Sequence, residues 1–348
     1  MRKCIYAFIT GILLVVAACS VEKQAKHVGP AEGEKWIGLH LLNYGTDSAL
    51  QQVAKQLPAL AARGVNMLFL EVDYSYEFQS HPELRMKKFI TRAGAQEFGQ
   101  ACREAGIRLI IQFQSLGHQS WAKETFPLLT VYPELDIAPG KFPNNDSLYC
   151  REWDPTNPKV NEIVFPLIDE IIDGFGADGL HLGMDEVFLL SSDSAPNTKD
   201  KNPAQLFAKV VNEFHDHLAP KNVEMFIWAD RLIDGTKYPY GKWESSLNGT
   251  APAVDLIPKD VVLCDWHYEP MEKYGSVDFL LQKGFKVMPC SWRDVNGVDS
   301  LISYSFKLDN PNMVGHMFTT WHRLEPDSIS TYKPMVRGLE KIRSIKGE

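Results

Sequence analysis

The chain has 348 residues, of which 45% are hydrophobic and 23% charged, a balance that excludes a disordered or fibrous polymer and leaves one large domain or two small ones. The formal charge is −8 with no clustered basic face, so nucleic acid is not an expected partner. No solenoid-period repeat or low-complexity tract is visible.

In chain order, the first element is a targeting segment. "MRK" supplies positive charge, "CIYAFITGILLVV" is an apolar run too short to span a bilayer comfortably, and "AAC" offers small residues before Cys19. Residues 1–18 read as a signal peptide. "VAAC" resembles the lipobox of bacterial lipoproteins, which implies that Cys19 is lipidated and becomes the mature N-terminus. The competing readings are an ordinary signal peptide cleaved nearby and an N-terminal anchor helix. Residues 19–35 are then the lipidated Cys and a polar tether. The expected location is exported and lipid-anchored to a bacterial membrane, periplasmic or at the cell surface, with the outer membrane favoured. Losing Arg2 and Lys3 with the signal leaves 34 basic against 44 acidic side chains, a formal charge of −10.

From Trp36 onward, short apolar runs alternate with amphipathic stretches. Strands are expected at "WIGLHL" (36–41), "NMLFLEVD" (66–73), "IRLIIQFQ" (107–114) and "GLHLGM" (179–184). Four more follow at "EMFIWAD" (224–230), "VVLCDW" (261–266), "FKVMPCS" (285–291) and "VGHMFTT" (314–320). Helical patterns lie between them at 48–63, 92–105, 158–174, 203–218 and 272–283. Gly64, Gly106 and Gly284 each follow a helical pattern and precede a strand, as helix-ending glycines do. Eight strands, most of them fully apolar and alternating with helices, predict a single-domain (β/α)8 barrel over 36–348. A doubly wound open sheet is the alternative, weakened because no strand runs into a Gly-rich nucleotide turn. No cofactor is expected.

Four cysteines lie outside the signal: Cys102, Cys150, Cys264 and Cys290. Their spacing matches neither a zinc motif nor a disulfide framework. Cys264 and Cys290 sit in strand-like runs and read as buried thiols, while a Cys102–Cys150 disulfide stays open.

Barrel active sites lie at the C-terminal strand ends. Those ends carry, in order, His40 and Asn43; Glu71, Asp73 and Tyr74; Gln112, Gln114 and then His118; Asp185 and Glu186; Trp228 and Asp230; Trp266 and Tyr268; Trp292; and Trp321. Four of the eight tryptophans thus fall at the last four strand ends. Indole faces stack on the C–H faces of sugars, and aromatic walls exclude water. Any one Trp alone would more simply be core. Two Asp-Glu pairs can be told apart by context. Asp169-Glu170 lies in a helical pattern and reads as a solvated face. Asp185-Glu186 ends an apolar strand, where adjacent carboxylates cannot both ionise freely and a general acid usable near neutral pH results. Glycosidic cleavage needs such an acid. Ten histidines are present, but there is no H-E-x-x-H motif, and His215 and His217 lie on a helix far from the strand ends, so no catalytic metal is expected.

"LHLGMDEVF" resembles the H-x-G-x-D-E signature of glycoside hydrolase family 20, the β-N-acetylhexosaminidases, and is most similar to short single-barrel members of the hexosaminidase D type. "EVDYSYEF", "IIQFQSLGHQ", "REWDPTNPKV", "IWADRL", "DWHY" and "TTWHRL" carry the resemblance across roughly residues 36–325. It implies exo-acting release of terminal GlcNAc or GalNAc from a glycan by a retaining mechanism in which the substrate's own 2-acetamido oxygen attacks the anomeric carbon. It further implies Glu186 as general acid and then base, and Asp185 as the group that holds the acetamido N–H. Tyr268 would bond the acetamido oxygen. Trp228, Trp266, Trp292 and Trp321 would wall the sugar, with Asp230 and His40 also at the pocket and His118 supporting Asp185. The chain departs from larger members in three ways. No Arg ends the first strand, where His40 and Asn43 stand. Arg323 occupies the position two after the last Trp, where many members have an acid. And there is no room for a small N-terminal domain between Cys19 and Trp36. These departures leave the sugar, and any acidic substituent on it, open. Two other readings compete: a two-carboxylate barrel glycosidase acting on non-acetamido sugars, with Glu71, Asp73 or Glu269 as second acid, and a non-catalytic glycan-binding surface lipoprotein.

Overall fold

The computed structural model describes residues 29–347. The signal, Cys19 and most of the tether lie outside the described residues. Eight strands close into a barrel: β1 (Trp36–Leu41), β2 (Met67–Glu71), β3 (Arg108–Ser115), β4 (Gly179–Gly183), β5 (Glu224–Trp228), β6 (Val262–Trp266), β7 (Lys286–Ser291) and β8 (Gly315–Phe318). Every neighbouring pair is parallel, and β8 returns to β1. The expected strands are each present, and the (β/α)8 class holds.

The helices follow the apolar periodicity, with one break. The pattern at 48–63 is two helices, α1 (Asp47–Ala54) and α2 (Leu57–Arg63), because Pro58 has no N–H to continue the first and instead sits in the first turn of the second. Next come α3 (Arg92–Glu104), α4 (Lys159–Phe175), α5 (Pro203–Leu218) and α6 (Gly275–Gln282). Two further helices, α7 (Val295–Ser305) and α8 (Lys333–Lys346), complete the outer layer. Neither was singled out from sequence. The serines and glycine of α7 and the charges of α8 dilute their apolar stripes.

Strand side chains alternate between two cores. Met67, Phe69, Phe226, Cys264, Met288 and Met317 fill the barrel interior, and the opposite faces pack under the helices. At the N-terminal end of the barrel, Arg108 donates to Asp178 and Glu224 at 2.7 Å each, and Lys286 donates to Glu224 at 2.7 Å. That end has polar closure, and the opposite end is free for chemistry.

All four cysteines in the described residues are free and buried, so no Cys102–Cys150 disulfide forms. Cys102 packs inward from α3, and burial pushes its thiol up to about 12; Cys150 lies in the long loop after β3, pushed up to about 11.

Candidate active site

The acid pair is presented by irregular backbone. β4 stops at Gly183 (φ 65°), and Met184 (φ 68°) and Glu186 (φ 52°) are also left-handed. In a regular strand Asp185 and Glu186 would point to opposite faces. The left-handed residues cancel that alternation, and both carboxylates meet one group: His118 Nε2 lies 3.3 Å from Asp185 Oδ2 and 3.1 Å from Glu186 Oε2. A side chain at 183 is excluded, because a Cβ there would stand 1.7 Å from Gln114 Oε1. Two neighbours fix the turn. His181 is fully buried and held neutral, first by burial and then by His40, so its Nδ1 accepts the Gly183 N–H at 3.0 Å. Asp230 Oδ2 accepts the Glu186 N–H at 3.0 Å. Asp73, Leu116 and His118 are left-handed too, so strained backbone concentrates at this rim.

His118 therefore reaches further than the supporting role expected of it, touching both acids. Burial alone would lower its pKa, but the Asp185 charge and the hydrogen bonds to both carboxylates outweigh this and hold the imidazolium well above the usual range. The other acids nearby are raised as well, chiefly because burial disfavours their charged forms. Glu71 is raised well above the carboxylate range with Asp73 adding to it, Asp73 rises to about 7, and Asp230 rises to about 6. Glu71 accepts from Gln112 Nε2 at 3.0 Å and Asp73 from the Gln114 N–H at 2.7 Å. Glu269 is exposed on the rim.

Sequence reasoning missed Tyr149, whose hydroxyl donates to Glu186 Oε2 at 2.5 Å. Its ring touches Trp121, Phe188 and Trp243 at centroid distances of 5.9, 5.9 and 4.8 Å. Trp121 is 58% and Trp243 39% exposed, so an aromatic rim stands open to solvent beside Glu186. These residues come from loops with no recurring pattern. Only their aromatic character could have drawn attention.

The expected aromatic wall is assembled, in layers. Trp228 is fully buried at the bottom, 5.3 Å from Trp321 between centroids. His40 lies buried beside both, its burial lowering it to about 4, and it is a neutral floor residue. Trp266 stacks on Tyr268 at 5.1 Å, Trp292 meets Tyr268 edge-on at 5.4 Å, and Trp321 Nε1 donates to the Tyr268 hydroxyl. Burial keeps the Tyr268 phenol well above its ordinary pKa. Asp230 serves the backbone rather than the pocket: it takes the Glu186 N–H and the Arg231 Nε, with Trp266 Nε1 at 3.4 Å.

Several buried polar atoms here have no hydrogen-bond partner among the described residues: Asp185 Oδ1, Trp228 Nε1 and Trp292 Nε1. A charged acceptor buried alone costs free energy unless a ligand pairs with it. His118, Asp185 and Glu186 offer three donor atoms within 4.8 Å, enough to hold a cation. The imidazolium already sits at hydrogen-bond distance from both carboxylates, which satisfies the cluster with this chain's own charges.

Comparisons with known proteins agree with this geometry. A family model described as "Glycosyl hydrolase family 20, catalytic domain" matches residues 41–298. Lacto-N-biosidase of Bifidobacterium bifidum is 23% identical over 203 residues, covering 56% of this chain and 17% of that protein. The chitobiase of Flavobacterium johnsoniae superposes with a TM-score of 0.65 at 19% identity, over 88% of this chain and 48% of that one. A β-N-acetylhexosaminidase from Bacteroides fragilis gives 0.63 at 15%, over 88% and 65%. The chain thus spans about half the length of the first of these structures and less than a fifth of the biosidase.

Proposed function

Because the chain belongs to glycosyl hydrolase family 20, we propose that it is an exo-acting β-N-acetylhexosaminidase, which releases terminal GlcNAc or GalNAc from a glycan with retention and is lipid-anchored through Cys19 to a bacterial membrane after export. One observation carries the activity: Asp185 Oδ1 is a buried acceptor without a partner among the described residues, in a site where Tyr268 has a hydroxyl proton to give. An acetamido group supplies the complement, an N–H and a C=O.

Each residue then has a task. Trp321 donates to the Tyr268 oxygen, which leaves the phenolic proton for the acetamido carbonyl. Asp185 takes the acetamido N–H, aims the carbonyl oxygen at C1 and balances the positive charge of the cyclised intermediate. Glu186 Oε2 is engaged by Tyr149 and His118, so Oε1 is the oxygen free to protonate the leaving group and later to take a proton from water. The Trp266 and Trp321 rings pack against the acetamido methyl and the sugar face and keep water out, with Trp228 buried beneath Trp321 as their support.

The two-carboxylate alternative fits less well. Glu71 and Asp73 are already hydrogen-bonded to β3, burial favours their neutral forms, and Glu269 is exposed. A purely binding protein has no use for two acids turned onto one histidine by left-handed backbone. The deciding experiment is turnover of a chromogenic panel of β-GlcNAc, β-GalNAc and β-Glc glycosides. Cleavage of the first two and not the third is expected; preference for the glucoside overturns the assignment.

A further inference from the structure

We propose a second recognition site on the same barrel face: a cationic groove that binds an anionic group, sulfate or uronic carboxylate, carried by the glycan on the side of the terminal sugar remote from the scissile bond. This rests on the hexosaminidase reading above.

The groove has a volume of about 900 Å3 and is lined by segments that follow strand C-termini. Asn43 to Gln52 come after β1, Ser75 and residues 83–88 after β2, residues 124–131 after β3, and Arg323 after β8. It therefore opens on the face that carries Glu186. Four cations line it: Arg85, Lys87, Lys88 and Arg323. None of them has an ion-pair partner among the described residues. Arg85 spends its Nε on the Phe78 carbonyl at 2.6 Å, and the Arg323 guanidinium lies 5.0 Å over the Tyr44 ring. Two acids share the groove, but Glu83 is taken up by the Tyr132 hydroxyl at 2.6 Å and by His81 at 2.9 Å. That leaves four cations facing Glu124 in a chain whose overall charge is negative. Such local reversal of sign focuses an attractive field for anions.

Placement decides which part of the substrate would meet it. The leaving group must lie against Glu186, just after β4, beside Tyr149 and the open aromatic rim. The groove is lined by segments after β8, β1, β2 and β3, but all four cations follow β2 or β8, strands that do not pair with β4, whose neighbours are β3 and β5. Trp321 follows β8 and packs in the aromatic wall against His40, Trp228 and Tyr268, and Arg323 comes two residues later. With C1 at Glu186 and its ring against Trp321, a sugar would turn the end remote from C1 toward the β8 side, where Arg323 lines the groove. A sulfate ester on one of them, or a uronic acid linked through one, would reach the cations. Exposed cations that pair with a substrate anion chiefly raise association and affinity, so the effect belongs in KM.

The test compares 4-nitrophenyl glycosides of one acetamido sugar in three forms: unmodified, sulfated at O3, O4 or O6, and carrying a uronic acid on O3 or O4. Wild type is set against Lys87→Glu/Lys88→Glu, whose side chains are exposed and touch nothing in the catalytic pocket, and against Arg323→Gln. The expected result is a fall of about tenfold in kcat/KM on an anionic form, seen mainly in KM and weakened by salt, with turnover of the unmodified glycoside retained. Which arm responds tells sulfate from uronate. Equal losses on charged and neutral forms, or no loss on either, overturn the groove. If the unmodified glycoside is not cleaved at all, the hexosaminidase reading has failed. Calorimetric binding of the same charged and neutral pair to wild type and the double variant then decides the groove by itself.

Discussion

The backbone N–H of Glu186 donates to Asp230 Oδ2 at 3.0 Å, and that same oxygen accepts from Arg231 Nε at 2.6 Å. One buried carboxylate thus holds the Glu186 main chain in its left-handed conformation and balances a guanidinium that is 1% exposed. Asp230→Ala removes both. The buried charge left unpaired should cost about 3–5 kcal/mol of stability, and kcat should fall more than KM rises because the acid is displaced while the sugar wall is intact. Urea unfolding together with steady-state kinetics checks this; full stability and full kcat would show that the bond is dispensable.

Glu186→Gln should lower turnover of a natural glycoside by about 10²–10⁴ while leaving the melting curve close to wild type. The loss should shrink on 4-nitrophenyl substrates, whose leaving group needs little protonation. Near wild-type rates on a poor leaving group would remove Glu186 from the role of acid.

Asp185→Asn should weaken catalysis and also weaken binding of a thiazoline analogue of the cyclised intermediate, since mimics of that kind draw on interactions made along the reaction path. On the proposed mechanism, this substitution removes the carboxylate that faces the cation-like ring. Efficient cleavage of a plain β-glucoside, with no thiazoline inhibition, would instead favour two carboxylates acting without the acetamido group.

His267 offers a pH test away from the pocket. It is buried between Glu244 Oε2 at 2.6 Å and Asp265 Oδ1 at 3.2 Å, with Ser276 Oγ at 2.8 Å. Burial would lower its pKa, but the two carboxylates prevail and raise it to about 9. A raised folded-state pKa stabilises fully below the unfolded value near 6.5, and the contribution fades as pH climbs through about 9. The shift corresponds to about 3 kcal/mol. The stability gap between wild type and His267→Gln should therefore be wide at pH 6 and narrow at pH 10. A gap independent of pH would mean the imidazole is not charged in the fold.

Cys19→Ser should abolish lipid labelling and release a soluble or unprocessed protein from the membrane fraction. A processed, lipid-labelled Cys19→Ser protein would show that the anchor lies elsewhere.

The barrel was legible because eight apolar runs of strand length alternate with helix-period stretches; what escaped includes the break at Pro58, the diluted stripes of α7 and α8, and the short helix Pro127–Val131 in the segment after β3. The acid pair was legible as two adjacent carboxylates at a strand end. How they converge was not, because the left-handed φ of Met184 and Glu186 has no residue-type signal: both are residues that seldom adopt it. Tyr149 was hidden for another reason. It lies in the long segment between β3 and α4, where long-range packing alone sets direction. Asp230 and His118 were placed at the site, yet side-chain identity could not tell a group that meets substrate from one that holds a backbone N–H or bridges two acids.

The turn at Gly183–Glu186 also bears on protein engineering. Two carboxylates grafted onto an ordinary strand terminus of another barrel would diverge, one into the lumen and one into the helical layer. A working transplant has to move a unit that includes the glycine, the imidazole at 181 that accepts its N–H, and the carboxylate at 230 that accepts the one at 186. For the same reason a one-residue insertion or deletion between 183 and 186 should be far more damaging than most point substitutions in the walls, because it would shift the left-handed positions relative to the two acids and turn them away from their common histidine while leaving both present in the sequence.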